Sequence, residues 1–380
     1  MKKLFLSLAL TAALGLQAAE VNVTTGDFAD AYAAAADGDV LVLAEGSYGG
    51  QLTFPSGKTI TLKAADGAAV DFLSLFRAND ASLSDGGIIL EGLDIHPTDS
   101  YFINLDNYGH IKTITVKDCS IHGIDRCFLR TNSTGNTIDE IIFENCLIYD
   151  CGSGGWNFMY PKHIVKKVDV SNSTLYNYTN GESLFKPNAK DESNAFVFNF
   201  TNNTVYRWGK SNDRALAKVE GNYGAGSVYT LKDNIIYKGG ADNIKPFIVH
   251  ANAGSLVAKN NLAVDYGDYN MGGSATKDIM DLTLTGLGMD ALSFPDADNG
   301  DFTIVSSSPL ATASTTGGII GDPRWLKTVS AAANFTATVS PAEGGTVAPA
   351  QAVFEVGEQV TVTATAAYGY RFASWQDAAG

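Results

Sequence analysis

Seven short segments end in a residue that can carry charge or make a directional bond. They are Leu75-Phe-Arg77, Phe102-Ile-Asn104, Phe128-Leu-Arg130, Phe158-Met-Tyr160, Leu184-Phe-Lys186, Leu216-Ala-Lys218 and Ile248-Val-His250. Their last residues recur every 26 to 32 positions. A chain that returns to the same place once per repeat would stack them in one line. Five of the seven, Arg77, Arg130, Lys186, Lys218 and His250, are basic or imidazole, and Tyr160 adds a ring. Such a line suits a polyanionic chain, each sugar of which advances by about one coil. Strict alternation would turn the apolar residue two places earlier, such as Leu184 or Leu216, to the same outer face. A bend just before the polar residue, or a covering loop, must intervene. The competing explanation is that long basic stems cap strand ends and pair with nearby acids.

A second column holds rings: His96, His122, Tyr149, Tyr176, Tyr206 and Tyr237. Stacked at coil spacing they could seat sugars, but ring stacking alone is reason enough for such a ladder, so a structural role is expected. The carboxylates Asp191, Glu192, Asp213 and Glu220 could include an acid–base pair; their spacing singles none out. Phosphate-binding loops, dinucleotide fingerprints and serine nucleophile elbows do not occur in the sequence.

The four cysteines, Cys119, Cys127, Cys146 and Cys151, lack the spacing of a zinc site. Cys119 and Cys146 occupy equivalent repeat positions. Two small buried side chains on neighbouring coils are expected there rather than a disulfide, because in-register side chains point the same way. The formal charge of −15 argues against nucleic acid as a partner. It also repels acidic polysaccharide at long range, so any attraction must come from the local line of cations.

The elements that would position these residues follow from a repeat. Leu90-Glu-Gly-Leu-Asp-Ile-His96 is followed by Val116-Lys-Asp-Cys-Ser-Ile-His122, Phe143-Glu-Asn-Cys-Leu-Ile-Tyr149 and Val170-Ser-Asn-Ser-Thr-Leu-Tyr176. Phe200-Thr-Asn-Asn-Thr-Val-Tyr206, Leu231-Lys-Asp-Asn-Ile-Ile-Tyr237 and Ala258-Lys-Asn-Asn-Leu-Ala-Val264 continue it. Each copy alternates with period two and breaks at Gly, Asn or Asp, residues that accept the left-handed conformation of a sharp bend. Strands this short cannot bury an apolar face alone. Stacking coils at ~4.8 Å buries a continuous core and pairs the backbone above and below. The expected fold is therefore all-β, a right-handed parallel β-helix. Its core columns are Leu90, Val116, Phe143, Val170, Phe200, Leu231 and Ala258, and Ile95, Ile121, Ile148, Leu175, Val205, Ile236 and Ala263. Its bend ladder is Gly92, Asp118, Asn145, Asn172, Asn202, Asp233 and Asn260. A short amphipathic helix, Ala31 to Ala36, should cap the first coil.

The opening Gly38-Asp-Val-Leu-Val-Leu-Ala-Glu-Gly46-Ser-Tyr48 resembles the first coil of pectate-lyase-like β-helix proteins. Phe294-Pro-Asp-Ala-Asp-Asn-Gly-Asp-Phe302 and Ile320-Gly-Asp-Pro-Arg-Trp325 resemble the closing segment of a secreted group in that superfamily, many of whose members have no assigned function. Glu182-Ser-Leu-Phe-Lys186, Asn202-Asn-Thr-Val205 and Leu216-Ala-Lys218-Val-Glu-Gly-Asn222 are similar to a stretch of chondroitinase-B-like and alginate-lyase β-helices. That resemblance implies Lys186 as a base, Lys218 as the group that neutralises a uronate and Glu182 as a calcium ligand; the line itself would supply Arg77, Arg130, Tyr160 and His250 as substrate contacts. Lys218 stands where the family has Arg, and Val219-Glu220 replaces its His. Two readings stay open: a lyase cleaving a uronate-containing polysaccharide by β-elimination, or a non-catalytic glycan-binding or cell-surface module.

The ends complete the organisation. Residues 1–19 read as a signal peptide, with Lys2 and Lys3, an apolar run Leu4 to Leu16 and small residues before Glu20. The run is short for a bilayer span, and no Cys lies near the cleavage site for a lipid anchor. Residues 20–327 form the β-helix, 328–333 a linker, and 334–380 a small β-rich unit. Gly344-Gly-Thr-Val347, Gly357-Glu-Gln-Val-Thr-Val-Thr-Ala364 and Gly369-Tyr-Arg-Phe372 resemble the InlB B-repeat-like bacterial repeat. Tyr370, Phe372 and Trp375 are expected in its core. A secreted, periplasmic or cell-surface location follows, with no membrane-spanning segment.

Overall fold

The computed structural model describes residues 18–189, 191, 193–210, 216–219, 223–224, 226–237, 247–249, 255–264, 294–328, 333–354 and 361–376. The leader-like residues 1–17 lie outside them.

Parallel strands climb in coils and assemble three sheets. The first runs from Glu20–Val23 and Val40–Leu43 through Gly86–Glu91, Ile111–Lys117, Thr137–Glu144, Lys167–Ser171 and Val197–Thr201 to Ser255–Lys259. The second runs from Gly46–Tyr48 through Asp94–Ile95, Ser120–His122, Leu147–Tyr149, Thr174–Tyr178 and Thr204–Trp208 to Leu262–Val264. The third contains Gln51–Thr53, Leu75–Asn79, Tyr101–Asn107, Cys127–Thr131 and Met159–Pro161. The chain is thus an all-β parallel β-solenoid with a β-rich region at its C-terminal end.

The bend between the first and second sheets falls where the repeat breaks. Gly92, Asp118, Asn145, Asn172, Asn202, Asp233 and Asn260 all have φ between 50° and 69°. The residue after each bend points inward. Asn203, Asn234 and Asn261 are buried there and donate their amides to Val170, Phe200 and Leu231 carbonyls at 2.8 Å. Cys119 and Cys146 fill the same column in earlier coils, with their sulfurs 3.6 and 3.4 Å from the Leu90 and Val116 carbonyls. All four cysteines are buried free thiols.

The core columns Leu90, Val116, Phe143, Val170, Phe200 and Leu231 are fully buried, as are Ile95, Ile121, Ile148, Leu175, Val205 and Ile236. Ala258 is partly buried against the same core. The capping helix is Phe28–Ala34, three residues earlier than expected at its start. Its inward positions are Phe28 and Tyr32, one turn apart. Phe28 meets Tyr48 edge-on at 5.1 Å, and Tyr32 donates its hydroxyl to the Thr53 carbonyl, so the helix covers the first coil.

The segment 294–327 returns along the second sheet. Phe302 packs on Tyr176, Tyr206 and Trp325, and Phe294 packs on Tyr237. Asp322 is buried and accepts from Thr174 Oγ1, and the Asp298 carboxylate accepts from the Tyr206 hydroxyl. The later tyrosines of the ring column are therefore packing surface for this strap, in agreement with the structural reading of the ladder.

The C-terminal strands form two antiparallel ribbons, Ala333–Thr336 with Gln351–Phe354 and Gly345–Ala348 with Thr363–Ala366. Here one expectation is corrected. Tyr370, Phe372 and Trp375 are 45%, 50% and 53% exposed, not core. Two-stranded ribbons supply no second layer, and no described element covers these rings; Phe372 and Trp375 pack on each other at 5.4 Å.

Candidate functional site

The third sheet carries the line of polar residues. Strand pairing places Thr53, Arg77, Asn104, Arg130 and Tyr160 in successive register. Single bridges from Met159 to Phe185 and from Phe185 to Ala217 carry the register on to Lys186 and Lys218. Leu75, two places before Arg77, is partly exposed in strict alternation, but in the coils from Asn104 to Lys218 the apolar residues two places earlier do not face outward. Phe102 and Ile103, Phe128 and Leu129, and Leu184 and Phe185 are adjacent pairs buried together. In these coils alternation breaks just before the polar residue, where two consecutive side chains turn inward.

The last coil departs from the expected column. Lys218 pairs with Ile248 rather than with position 250. Phe247-Ile-Val249 offers three consecutive apolar residues, and pattern alone cannot choose the register of such a run. His250 itself lies outside the described residues.

The cations do different work along the line. Arg77 donates to the Phe76, Phe102 and Tyr101 carbonyls at 2.9, 3.0 and 2.8 Å and pairs with Asp99 at 3.3 Å. Its guanidinium holds the corner of the next coil, as expected of a strand-end cap. A shallow depression of about 400 Å³ beside it is lined by Gln51, Thr53, Asp80, Asn104 and Asp106. Arg130 donates to Asn104 Oδ1 at 3.1 Å and lies 3.7 Å from Asp106, with its guanidinium 5.2 Å from the Tyr101 ring centre. Lys186 Nζ lies 5.9 Å from the ring centre of Tyr160.

Tyr101, Arg126 and Trp156, beside this line, escaped the sequence reading. Arg126 donates to the Tyr101 hydroxyl at 3.0 Å and lies 5.2 Å from the Trp156 ring centre. Trp156 meets Tyr160 edge-on at 5.7 Å. The signal was present: Arg126, Trp156 and Glu182 each stand four positions before Arg130, Tyr160 and Lys186, forming a second column across the corner. Together these side chains make a partly exposed patch in which rings and cations alternate over neighbouring coils.

Glu182 accepts from Asn157 Nδ2 at 3.0 Å, and its backbone N–H bonds the Trp156 carbonyl. Calcium takes six to eight oxygen ligands. Among the described residues, the one group of three His, Cys, Asp or Glu side chains that could hold a metal ion does not include Glu182. That group lies on the second sheet, at Asp94, His96 and His122. Of the four carboxylates considered as acid or base, Asp191 is held below the usual carboxylate range by hydrogen bonds from Ser193 and Asn194, which suits an anion rather than a proton donor. Glu192, Asp213 and Glu220 lie outside the described residues.

No helix among the described residues is long and apolar enough to cross a membrane. Residues 335–380 match the divergent InlB B-repeat domain family. No curated protein matches the sequence. Among solved structures, the chain is similar to the PL6 family alginate lyase AlyGC, with a TM-score of 0.44 and 16% identity over 67% of this chain and 39% of that one. An arginine-to-alanine variant of that enzyme gives a TM-score of 0.43 and 15% identity over 69% and 41%. The chain thus spans about two fifths of the length of those lyases.

Proposed function

We propose that the outer face of the third sheet binds an acidic, uronate-containing polysaccharide laid along the solenoid. The observation that carries this reading is the alternation of rings and cations on adjacent coils: Tyr101 beside Arg126 and Arg130, then Trp156, then Tyr160 beside Lys186. Aromatic faces pack against sugar C–H groups, while guanidinium and ammonium groups meet carboxylates. The coil spacing of ~4.8 Å lets successive sugars meet equivalent positions. The leader-like N-terminus and the InlB-type repeat support an extracellular or surface setting for such a ligand. The test is calorimetric titration with alginate, pectate and a neutral glucan. Binding to an acidic polymer, weakened by added salt and by Tyr160→Ala or Arg130→Ala, is expected. Equal binding of the neutral glucan, or acidic-glycan binding indifferent to both substitutions, would defeat the proposal.

A second reading, β-elimination, is favoured by one observation: Lys186 and Lys218 follow each other in register on adjacent coils. Removal of the proton at C5 of a uronate places negative charge on its carboxylate, so a cation there lowers the barrier. Lys218 would hold the carboxylate. Lys186, as the neutral amine, would take the C5 proton. The electrons of the broken C5–H bond form the C4–C5 double bond as the C4–O bond to the leaving sugar breaks, and water protonates the departing oxygen. Unsaturated ends, read by ultraviolet absorbance, should appear with wild type and vanish with Lys186→Ala at unchanged circular dichroism. Binding without unsaturated ends eliminates cleavage and leaves the binding module.

A further inference from the structure

The second sheet presents two outward columns side by side. One contains Ser47, Asp71, Asp94 and Ser120, in register from coil to coil. The other, two residues further along each strand, contains His96, His122 and Tyr149. The strap formed by residues 294–327 packs on later coils, from Tyr176 to Tyr237. The imidazole end of the ring column retains solvent access, with His96 and His122 side chains 30% and 28% exposed.

We infer that Asp94, His96 and His122, with Asp71 as a fourth donor, form a binding site for zinc or a similar divalent transition-metal ion. The two imidazoles stack at 4.7 Å and 11°, and the Nε2 atoms of both approach the same carboxylate. His122 Nε2 lies 3.1 Å from Asp94 Oδ1, His96 Nε2 lies 3.9 Å from Asp94 Oδ2, and His96 Nε2 lies 3.7 Å from Asp71 Oδ1.

The orientation matters more than the proximity. Asp94 Oδ1 is shielded from solvent and accepts no hydrogen bond, although the His122 nitrogen is so near. Proximity without a hydrogen bond leaves both the carboxylate oxygen and the imidazole nitrogen able to bind a shared third atom. Neighbouring ligands of a tetrahedral zinc lie about 3.3 Å apart for bonds of about 2.0–2.1 Å. The Asp94–His122 pair already has that separation. His96, whose Nε2 lies 3.9 Å from Asp94 Oδ2, needs a small side-chain rotation to join it.

The chemistry of the donors selects the class of ion. Two imidazole nitrogens and one or two carboxylates suit zinc, copper or nickel, whereas calcium and magnesium take oxygen shells. Two carboxylates would also neutralise a dication. His110 provides the contrast. Its Nδ1 meets Asp85 at 2.8 Å and its Nε2 meets Asp139 at 2.9 Å, so its two nitrogens are engaged on opposite sides of the ring. A bound ion would tie the coil of Asp71 to those of His96 and His122, on a sheet different from the proposed glycan face.

The experiment uses tag-free full-length protein, stripped with a chelator and titrated with zinc chloride by calorimetry, with calcium and magnesium chlorides for comparison. One saturable zinc site and a raised melting temperature are expected. His96→Ala, His122→Gln and Asp94→Asn should each weaken binding roughly tenfold or more, at unchanged circular dichroism, while His110→Ala leaves it intact. Cobalt should replace zinc with visible absorption characteristic of a tetrahedral nitrogen–oxygen site. Absence of saturable zinc binding, unaltered affinity in both histidine variants, or calcium binding as tightly as zinc would overturn the assignment.

Discussion

Trp325 donates its indole N–H to Thr174 Oγ1 at 2.7 Å across 151 positions of chain, and the same hydroxyl donates to the Asp322 carboxylate at 2.7 Å. One small side chain on the second sheet thus anchors both ends of the turn that closes the strap. Trp325→Phe keeps most of the ring packing and removes the indole donor. It should lower stability by about 1 kcal/mol, the net value of one hydrogen bond. Chemical denaturation followed by circular dichroism measures this; an unchanged midpoint would show that the strap does not contribute to the global unfolding step.

Phe143 is fully buried and meets Phe128 at 5.1 Å and Phe158 at 6.0 Å, so it joins the first and third sheets through the core. Phe143→Ala should cost roughly 3–5 kcal/mol, because neighbouring rings fixed in their own coils cannot close the cavity. A denaturant midpoint that barely moves would contradict this packing.

Asn172 holds φ at 50° in the bend ladder. Asparagine tolerates this conformation because its short polar side chain can hydrogen-bond locally; alanine keeps the Cβ strain without that compensation and should cost about 1–2 kcal/mol. Glycine carries no such penalty, and Asn172→Gly should lose less than Asn172→Ala. The reverse order of melting temperatures would mean that the side chain, not the conformation, is what the bend requires.

Burial pushes the thiols of Cys127, Cys146 and Cys151 up to about 12 and that of Cys119 well above its ordinary value. Thiolate is the reactive form, and here it is both scarce and screened from solvent. A disulfide-exchange reagent should label none of the four in the folded protein and all four in denaturant. Labelling of Cys119 or Cys146 under native conditions would show that the coils open locally.

Residues 334–380 form ribbons with their own pairing. Their removal should leave the melting temperature of the remainder unchanged, since the described strands there pair with one another and not with the solenoid. A large fall after truncation would reveal docking of the repeat on the solenoid.

The bend ladder and the core columns were legible in the sequence because both are local. Period-two alternation decides which side chains face inward, and Gly, Asn or Asp marks the left-handed bend at Gly92, Asn145 or Asp233 regardless of what lies far away. The line from Arg77 to Lys218 was legible for the same reason, and even the need for a corner beside it could be argued from alternation. Arg126 and Trp156 were readable by their spacing of four from Arg130 and Tyr160, yet they lay outside the pattern being followed.

Only the tertiary structure decided what these side chains do. Arg77 turns its guanidinium onto carbonyls of the next coil, a choice set by the corner's geometry rather than by residue type. Lys218 falls opposite Ile248 because an all-apolar run such as Phe247-Ile-Val249 carries no periodic mark of register. The strap finds Thr174 from positions 322 and 325, a contact no repeat encodes. Asp94 comes within 3.1 Å of His122 because one coil of chain, more than two dozen residues, brings their strands side by side. Alternation and turn chemistry act over a few residues and leave their imprint in sequence; pairing across a coil and docking of the strap depend on surfaces that exist only after the coils have stacked.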